Sequence, residues 1–272
     1  MQTPLSSLRR DREDIIARFA QACSGDKRIA AAFVGGSVAR GDSDAFSDLD
    51  LCIVTRDELF DDVFADRTAI VELLGRPLFL EGGAGQPSEV FAILADGTDL
   101  ELFFVRETEL RDAEVGPIRP LLDRGDILAA LELPVREPTV SELAEETRHV
   151  LAWFWHDVAH FVTAVNRQQL WWAHGQLEAL RGYCVNLVRL EHGVPSETEP
   201  YWKIDTEIST VTLEPLRSTV VQIEPRALAE AAADLVTYFG IHGRAVAAGH
   251  GLGYPEELER LMRKHLDELT IH

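Results

Sequence analysis

Between two short apolar runs, Ile29 to Val34 and Leu51 to Val54, lies a stretch that opens on Gly35-Gly36-Ser37 and closes on Asp48-Leu49-Asp50. This arrangement constrains the fold more than any other feature of the chain. Runs of this length, rich in Ile, Val and Phe, read as buried strands. Two glycines after a strand let the backbone turn sharply and approach an anion closely, with the Ser37 hydroxyl as a donor. The tripeptide alone is common in plain surface turns, and no Gly-Lys-Ser/Thr follows, so it is not a P-loop.

The aspartates add what the glycines lack. Alternate positions of a strand share a face, so Asp48 and Asp50 are expected side by side at the start of the second run. Paired carboxylates suit Mg²⁺, a hard cation that prefers oxygen ligands and keeps room for substrate phosphates. Two such ions can hold both the attacking and the leaving oxygen of a displacement. Further on, Asp96-Gly97 separates Val90–Leu94 from Leu100–Val105, a hairpin signal. Its second strand sets Glu101 between leucines. If that strand joins the same sheet, Glu101 reaches the aspartates, where it would share a metal or act as general base, with Asp99 as its alternative. On an edge strand it would instead face water.

The rest of the N-terminal half reads as α/β. An amphipathic helix is expected over Ser7–Cys23, another over Asp57–Leu74, short strands at Leu78–Leu80 and Val90–Leu94 around a Gly82-Gly83-Ala84-Gly85 loop, and an edge strand at Leu121-Leu122. The prolines from Pro134 to Pro138 break this pattern. Beyond them, Ser141–Val165, Gln169–His192, Arg226–Gly249 and Pro255–Leu269 show helical periodicity. The expected architecture is α+β: a mixed sheet with flanking helices over residues 1–135, then an all-α bundle over 136–272.

Composition narrows the function. A formal charge of −20 over 272 residues opposes nucleic-acid binding, which needs a basic face, and would draw in a cationic small molecule. No apolar stretch is long enough for a membrane span, and the first dozen residues lack a signal-peptide core, so a cytoplasmic location is expected. Cys23, Cys52 and Cys184 are few and scattered, as expected of reduced, buried thiols. His156 and His160 stand four apart but lack the glutamate of a zinc-protease motif, and a structural role is expected for both. The Trp153–Trp172 aromatics are expected in the bundle core, although a ring-bearing ligand would also suit them.

The run from Gly35 to Asp50, with the later Glu101, resembles the nucleotidyltransferase superfamily of the DNA polymerase β type. Ser47-Asp48-Leu49-Asp50 with a helical second half is similar to the aminoglycoside adenylyltransferases and lincosamide nucleotidyltransferases. The resemblance implies that Ser37 and the Gly36 backbone hold the terminal phosphates, that Asp48 and Asp50 bind Mg²⁺, and that Glu101 activates the acceptor. Arg40 and Ser47 would be phosphate contacts, and Lys203 the basic contribution of the helical half. The reaction implied is transfer of AMP from ATP to a hydroxyl of an aminoglycoside or lincosamide, with release of pyrophosphate. Partners would be a nucleoside triphosphate and a small hydroxylated acceptor, without nucleic acid or membrane, and the protein a monomer or homodimer. Trp153, Trp155, Asp157, Trp171, Trp172 and Glu178 would line the acceptor side. The alternatives are a protein-adenylylating or antitoxin-type enzyme, or a nucleotide-binding module without turnover.

Overall fold

A computed structural model describes residues 5–83, 88–110, 116–129, 138–194 and 199–270. The chain forms two compact units, Met1–Arg136 and Glu137–His272. The expected boundary and most of the proline break lie outside the described residues.

In the first unit the order is α1 (Leu5–Gly25), β1 (Ile29–Val34), α2 (Gly36–Arg40), β2 (Leu49–Thr55), α3 (Phe60–Ala65), α4 (Arg67–Leu74), β3 (Pro77–Gly83), β4 (Ser88–Leu94), β5 (Asp99–Arg106) and β6 (Arg119–Asp123). The strands form one mixed sheet in the order β3-β4-β5-β2-β1-β6. Every neighbouring pair is antiparallel except β2 and β5, which run parallel.

Side-chain alternation sorts the sheet into two faces. Leu49, Leu51 and Ile53 of β2 join Leu100, Leu102 and Phe104 of β5 beneath Ile15, Ile16 and Phe19 of α1 and the apolar sides of α3 and α4. Withdrawing such side chains from water contributes about 1.5–3 kcal/mol each before the entropy of ordering is set against it. The opposite face carries a smaller cluster of Ala31, Phe33, Cys52, Val54, Val105, Leu110 and Leu128. Asp50 and Glu101 share that second face.

Several expectations are corrected. The helix read over Asp57–Leu74 is a 3-10 turn and two helices broken at Asp66, so that Phe60, Val63 and Phe64 as well as Ile70, Val71 and Leu74 all reach the core. Gly82 and Gly83 belong to β3, paired with Val90 and Glu89, rather than to a loop. Gly82 has φ +143°, and a Cβ there would lie 2.2 Å from the Glu89 carbonyl oxygen, so the strand approach itself requires glycine. Ala84 and Gly85 lie outside the described residues.

The second unit is helical: α5 (Val140–Asn166), α6 (Leu170–Glu191), α7 (Ile204–Glu207), α8 (Thr210–Arg217), α9 (Pro225–Gly249) and α10 (Glu256–Thr270). A capping box between Thr139 and Glu142 starts α5, and Pro225 occupies the first turn of α9. The short α7 and α8 escape a search for long periodicity, being a few residues each with Pro215 inside the second. Arg189, 1% exposed, reaches from α6 to the Glu207 carboxylate and the Trp202 carbonyl. All three cysteines are buried and free. Among the described residues no helix is long and apolar enough to cross a membrane.

Of the tryptophans expected in the core, only Trp155 is there. Trp153, Trp171 and Trp172 are 44%, 82% and 38% exposed, because they fall on the helix faces away from the buried Phe154, Phe161 and Leu177 stripe. Trp155, fully buried, cannot line an open acceptor site.

Candidate active site

The site grows from the meeting of β1, β2 and β5. Antiparallel pairing sets Val34 opposite Leu51. The chain then leaves β1 at Gly35, whose N–H donates to the Asp50 carbonyl at 2.9 Å. Gly36 has φ +52°, and a Cβ on it would stand 1.7 Å from Asp50 Oδ2. The glycine therefore makes room for the carboxylate, a more specific need than freedom to turn. Ser37 follows with its Oγ buried and without a hydrogen-bond partner. Such a hydroxyl is expensive to leave unsatisfied, so it marks where a polar ligand atom is wanted.

Parallel pairing sets Asp50 directly opposite Glu101. The edge-strand reading of Glu101 is thereby removed, since β5 lies between β4 and β2. Burial first, and then the charge of Asp48, raises Asp50 above its ordinary value. Burial, followed by Asp50 and Asp48, pushes Glu101 up to about 7. Asp48 itself precedes the strand, which begins at Leu49, because the chain is still completing the 44–47 turn there. Asp99 lies exposed on the face of Glu101 and adds to the repulsion more weakly.

Ser47 is already engaged: its Oγ accepts from the Asp44 N–H at 2.9 Å and donates to Asp44 Oδ1 at 3.1 Å. Arg40, exposed at the end of α2, pairs with Asp42 at 3.3 Å, and its charge opposes the rise in Asp50. Lys203 lies in the second unit, its Nζ 4.1 Å from the Trp202 ring centre.

Two contributors were missed by sequence reasoning. Arg12 of α1 donates to the carbonyls of Asp44 and Ser47 and so clasps the turn before Asp48. No local pattern links residues so far apart. Glu89, on the open face of β4, raises Glu101 further; the period-2 pattern of Val90, Ala92 and Leu94 was a usable signal for it.

The donor set fits a hard divalent cation. Asp50 and Glu101 are register partners on neighbouring strands, both carboxyls are raised by burial and then by acidic neighbours, a cost that a cation would relieve, and an unpartnered hydroxyl lies in the adjoining turn. The trio is open, however: among the described residues only His156, Asp157 and His160 bring three ligand atoms within 4.8 Å of one another. An open trio leaves coordination positions for phosphate oxygens, as Mg²⁺ requires.

The family model of streptomycin adenylyltransferase matches residues 9–269. No curated protein matches the chain. Among solved structures, an aminoglycoside 6-adenyltransferase from Bacillus subtilis aligns at 17% identity with a TM-score of 0.46, covering 95% of this chain and 98% of that one. A nucleotidyltransferase-like protein from Exiguobacterium sibiricum aligns at 12% identity and a TM-score of 0.45, covering 96% of this chain and 87% of that one.

Proposed function

The chain belongs to the streptomycin adenylyltransferase family, matched from residue 9 to residue 269, and on that premise we propose that it transfers AMP from ATP to a hydroxyl of an aminoglycoside. Pyrophosphate is released, and Mg²⁺ is held by Asp48, Asp50 and Glu101. The observation that carries this reading is the parallel register of Asp50 against Glu101 beside a glycine turn shaped around the Asp50 carboxylate.

A divalent cation bound there supplies neutralisation of the triphosphate and of the charge that develops on the departing pyrophosphate. The chain does the rest by position. The unpartnered Ser37 Oγ donates to a terminal phosphate oxygen, and the Gly36 backbone lies beside it. Arg40, exposed and paired with exposed Asp42, turns its guanidinium to a phosphate. A Glu101 carboxylate oxygen takes the proton of the acceptor hydroxyl as the new P–O bond forms at the α-phosphorus and the bond to pyrophosphate breaks. Burial and acidic neighbours raise this carboxyl in the metal-free protein, and a bound dication would lower it again, leaving it ionised to accept that proton at neutral pH. Ser47 serves through the turn it closes with Asp44 rather than through a free hydroxyl. Lys203 is assigned by resemblance alone, and a raised KM for ATP in Lys203→Ala would attach it to the same reaction.

The test is incubation with Mg²⁺, ATP and a panel containing streptomycin, other aminoglycosides and a lincosamide, following pyrophosphate release and the mass of the acceptor. An aminoglycoside heavier by one adenylyl group, absent in Asp50→Asn, is expected. Pyrophosphate release independent of acceptor, or unchanged in Asp50→Asn, would overturn the reading.

A further inference from the structure

The second unit holds a cluster of another chemical kind. On α5, His156 Nδ1 lies 3.0 Å and His160 Nδ1 3.9 Å from the same oxygen, Asp157 Oδ1. The remaining oxygen, Asp157 Oδ2, accepts from the Tyr183 hydroxyl of α6 at 3.2 Å. Asp157 is thus anchored across two helices, with its side chain 15% exposed, while the imidazoles stand about half exposed. The two rings are 4.3 Å apart, and each has a tryptophan against it, Trp153 at 4.9 Å from His156 and Trp172 at 6.0 Å from His160.

We propose that His156, Asp157 and His160 bind a borderline transition-metal dication such as Zn²⁺ or Co²⁺, distinct from the Mg²⁺ assigned to the carboxylates of the first unit. Ligands 2.0–2.2 Å from a tetrahedral Zn²⁺ stand roughly 3.4 Å from one another. The separations of 3.0 and 3.9 Å bracket that value, and all three ligand atoms lie within 4.8 Å. Imidazole with one carboxylate selects Zn²⁺, Co²⁺, Ni²⁺ or Cu²⁺ over Mg²⁺, which prefers oxygen donors alone. Tyr183 plays the part that outer hydrogen bonds play in metal sites, holding the ligating carboxylate in one orientation. Three protein ligands on an accessible helix face leave a position for water.

The test uses the full chain, stripped with chelator and exchanged into buffer containing excess Mg²⁺. Titration with Co²⁺ is followed by visible absorption, and Zn²⁺ displacement by calorimetry. One equivalent of Co²⁺ is expected, displaced by Zn²⁺ and not by Mg²⁺. The double variant His156→Gln/His160→Gln, its fold checked by circular dichroism, loses the band. Tyr183→Phe keeps the stoichiometry with affinity weakened by about tenfold. No saturable one-equivalent binding, or the same isotherm in the double variant, overturns the proposal, and an unchanged affinity in Tyr183→Phe overturns the anchoring role. None of these readouts depends on adenylyl transfer.

Discussion

At the scale of single residues, the candidate active site is a set of local costs. Ser37 carries a buried, unpartnered Oγ. Ser37→Ala is expected to leave the melting temperature unchanged or slightly raised, since an unsatisfied hydroxyl is removed, while raising KM for ATP roughly tenfold through the lost bond to a charged phosphate. Gly36→Ala meets Asp50 Oδ2 at 1.7 Å from a backbone at φ +52°. It should cost about 1–3 kcal/mol in chemical denaturation and abolish turnover by displacing the carboxylate. Glu101 is raised from 4.5 to about 7, so the fold binds its proton more tightly than the unfolded chain does. Its contribution is therefore fully present below the ordinary carboxylate range and is lost as pH rises through about 7. In metal-free protein at pH about 8, Glu101→Gln should gain roughly 1 kcal/mol, discounted for partial exposure, and flatten the decline of stability with pH. A steeper decline in the variant would contradict the repulsion among these carboxyls.

At the scale of elements, what matters is how short pieces are held. The segment bearing Lys203 consists of turns and the brief α7, which could not persist alone. It is fastened by Arg189, buried on α6, through Glu207 and the Trp202 carbonyl. Removing one partner leaves the other charge uncompensated, and Glu207→Ala should cost about 3 kcal/mol by urea denaturation because the stranded guanidinium is the buried member. The strands were legible in the sequence because β1, β2, β4 and β5 are apolar runs with turn residues at their ends. The break at Asp66 was not, since Asp57–Leu74 keeps helical residues throughout and only the sheet beneath it decides where the two apolar sides must turn. Gly82 likewise reads as loop until the distance to Glu89 is known. Trp155 and Trp153 are two apart in one helix yet end in core and solvent, a division set by which face α5 presents to α6 and α9.

At the scale of the whole molecule, charge and modularity dominate. A formal charge of −20 should speed encounter with a polycationic acceptor at low salt, because exposed fields are screened beyond about 8 Å at physiological ionic strength. The kcat/KM for an aminoglycoside is then expected to fall by about tenfold from low to several-hundred-millimolar salt, measured by initial rates. A flat profile would leave the charge serving solubility alone. Each unit owns its core, the helical one built around Phe154, Trp155, Phe239 and their neighbours and the α/β one around its sheet.

The strand runs, the glycine turn, the identity of the acidic residues and the helical second half were legible along the chain, because those depend on local periodicity and on residue chemistry. The sequence also carried the resemblance to nucleotidyltransferases. Tertiary structure alone decided that β2 and β5 run parallel, that Asp50 therefore stands opposite Glu101, and that Gly36 is glycine to clear a carboxylate. It likewise turned His156 and His160, expected to be merely structural, toward a shared oxygen of Asp157, whose other oxygen accepts from Tyr183 of another helix. Pairing partners distant along the chain are chosen by the packing of whole faces, and no window of neighbouring residues contains that information.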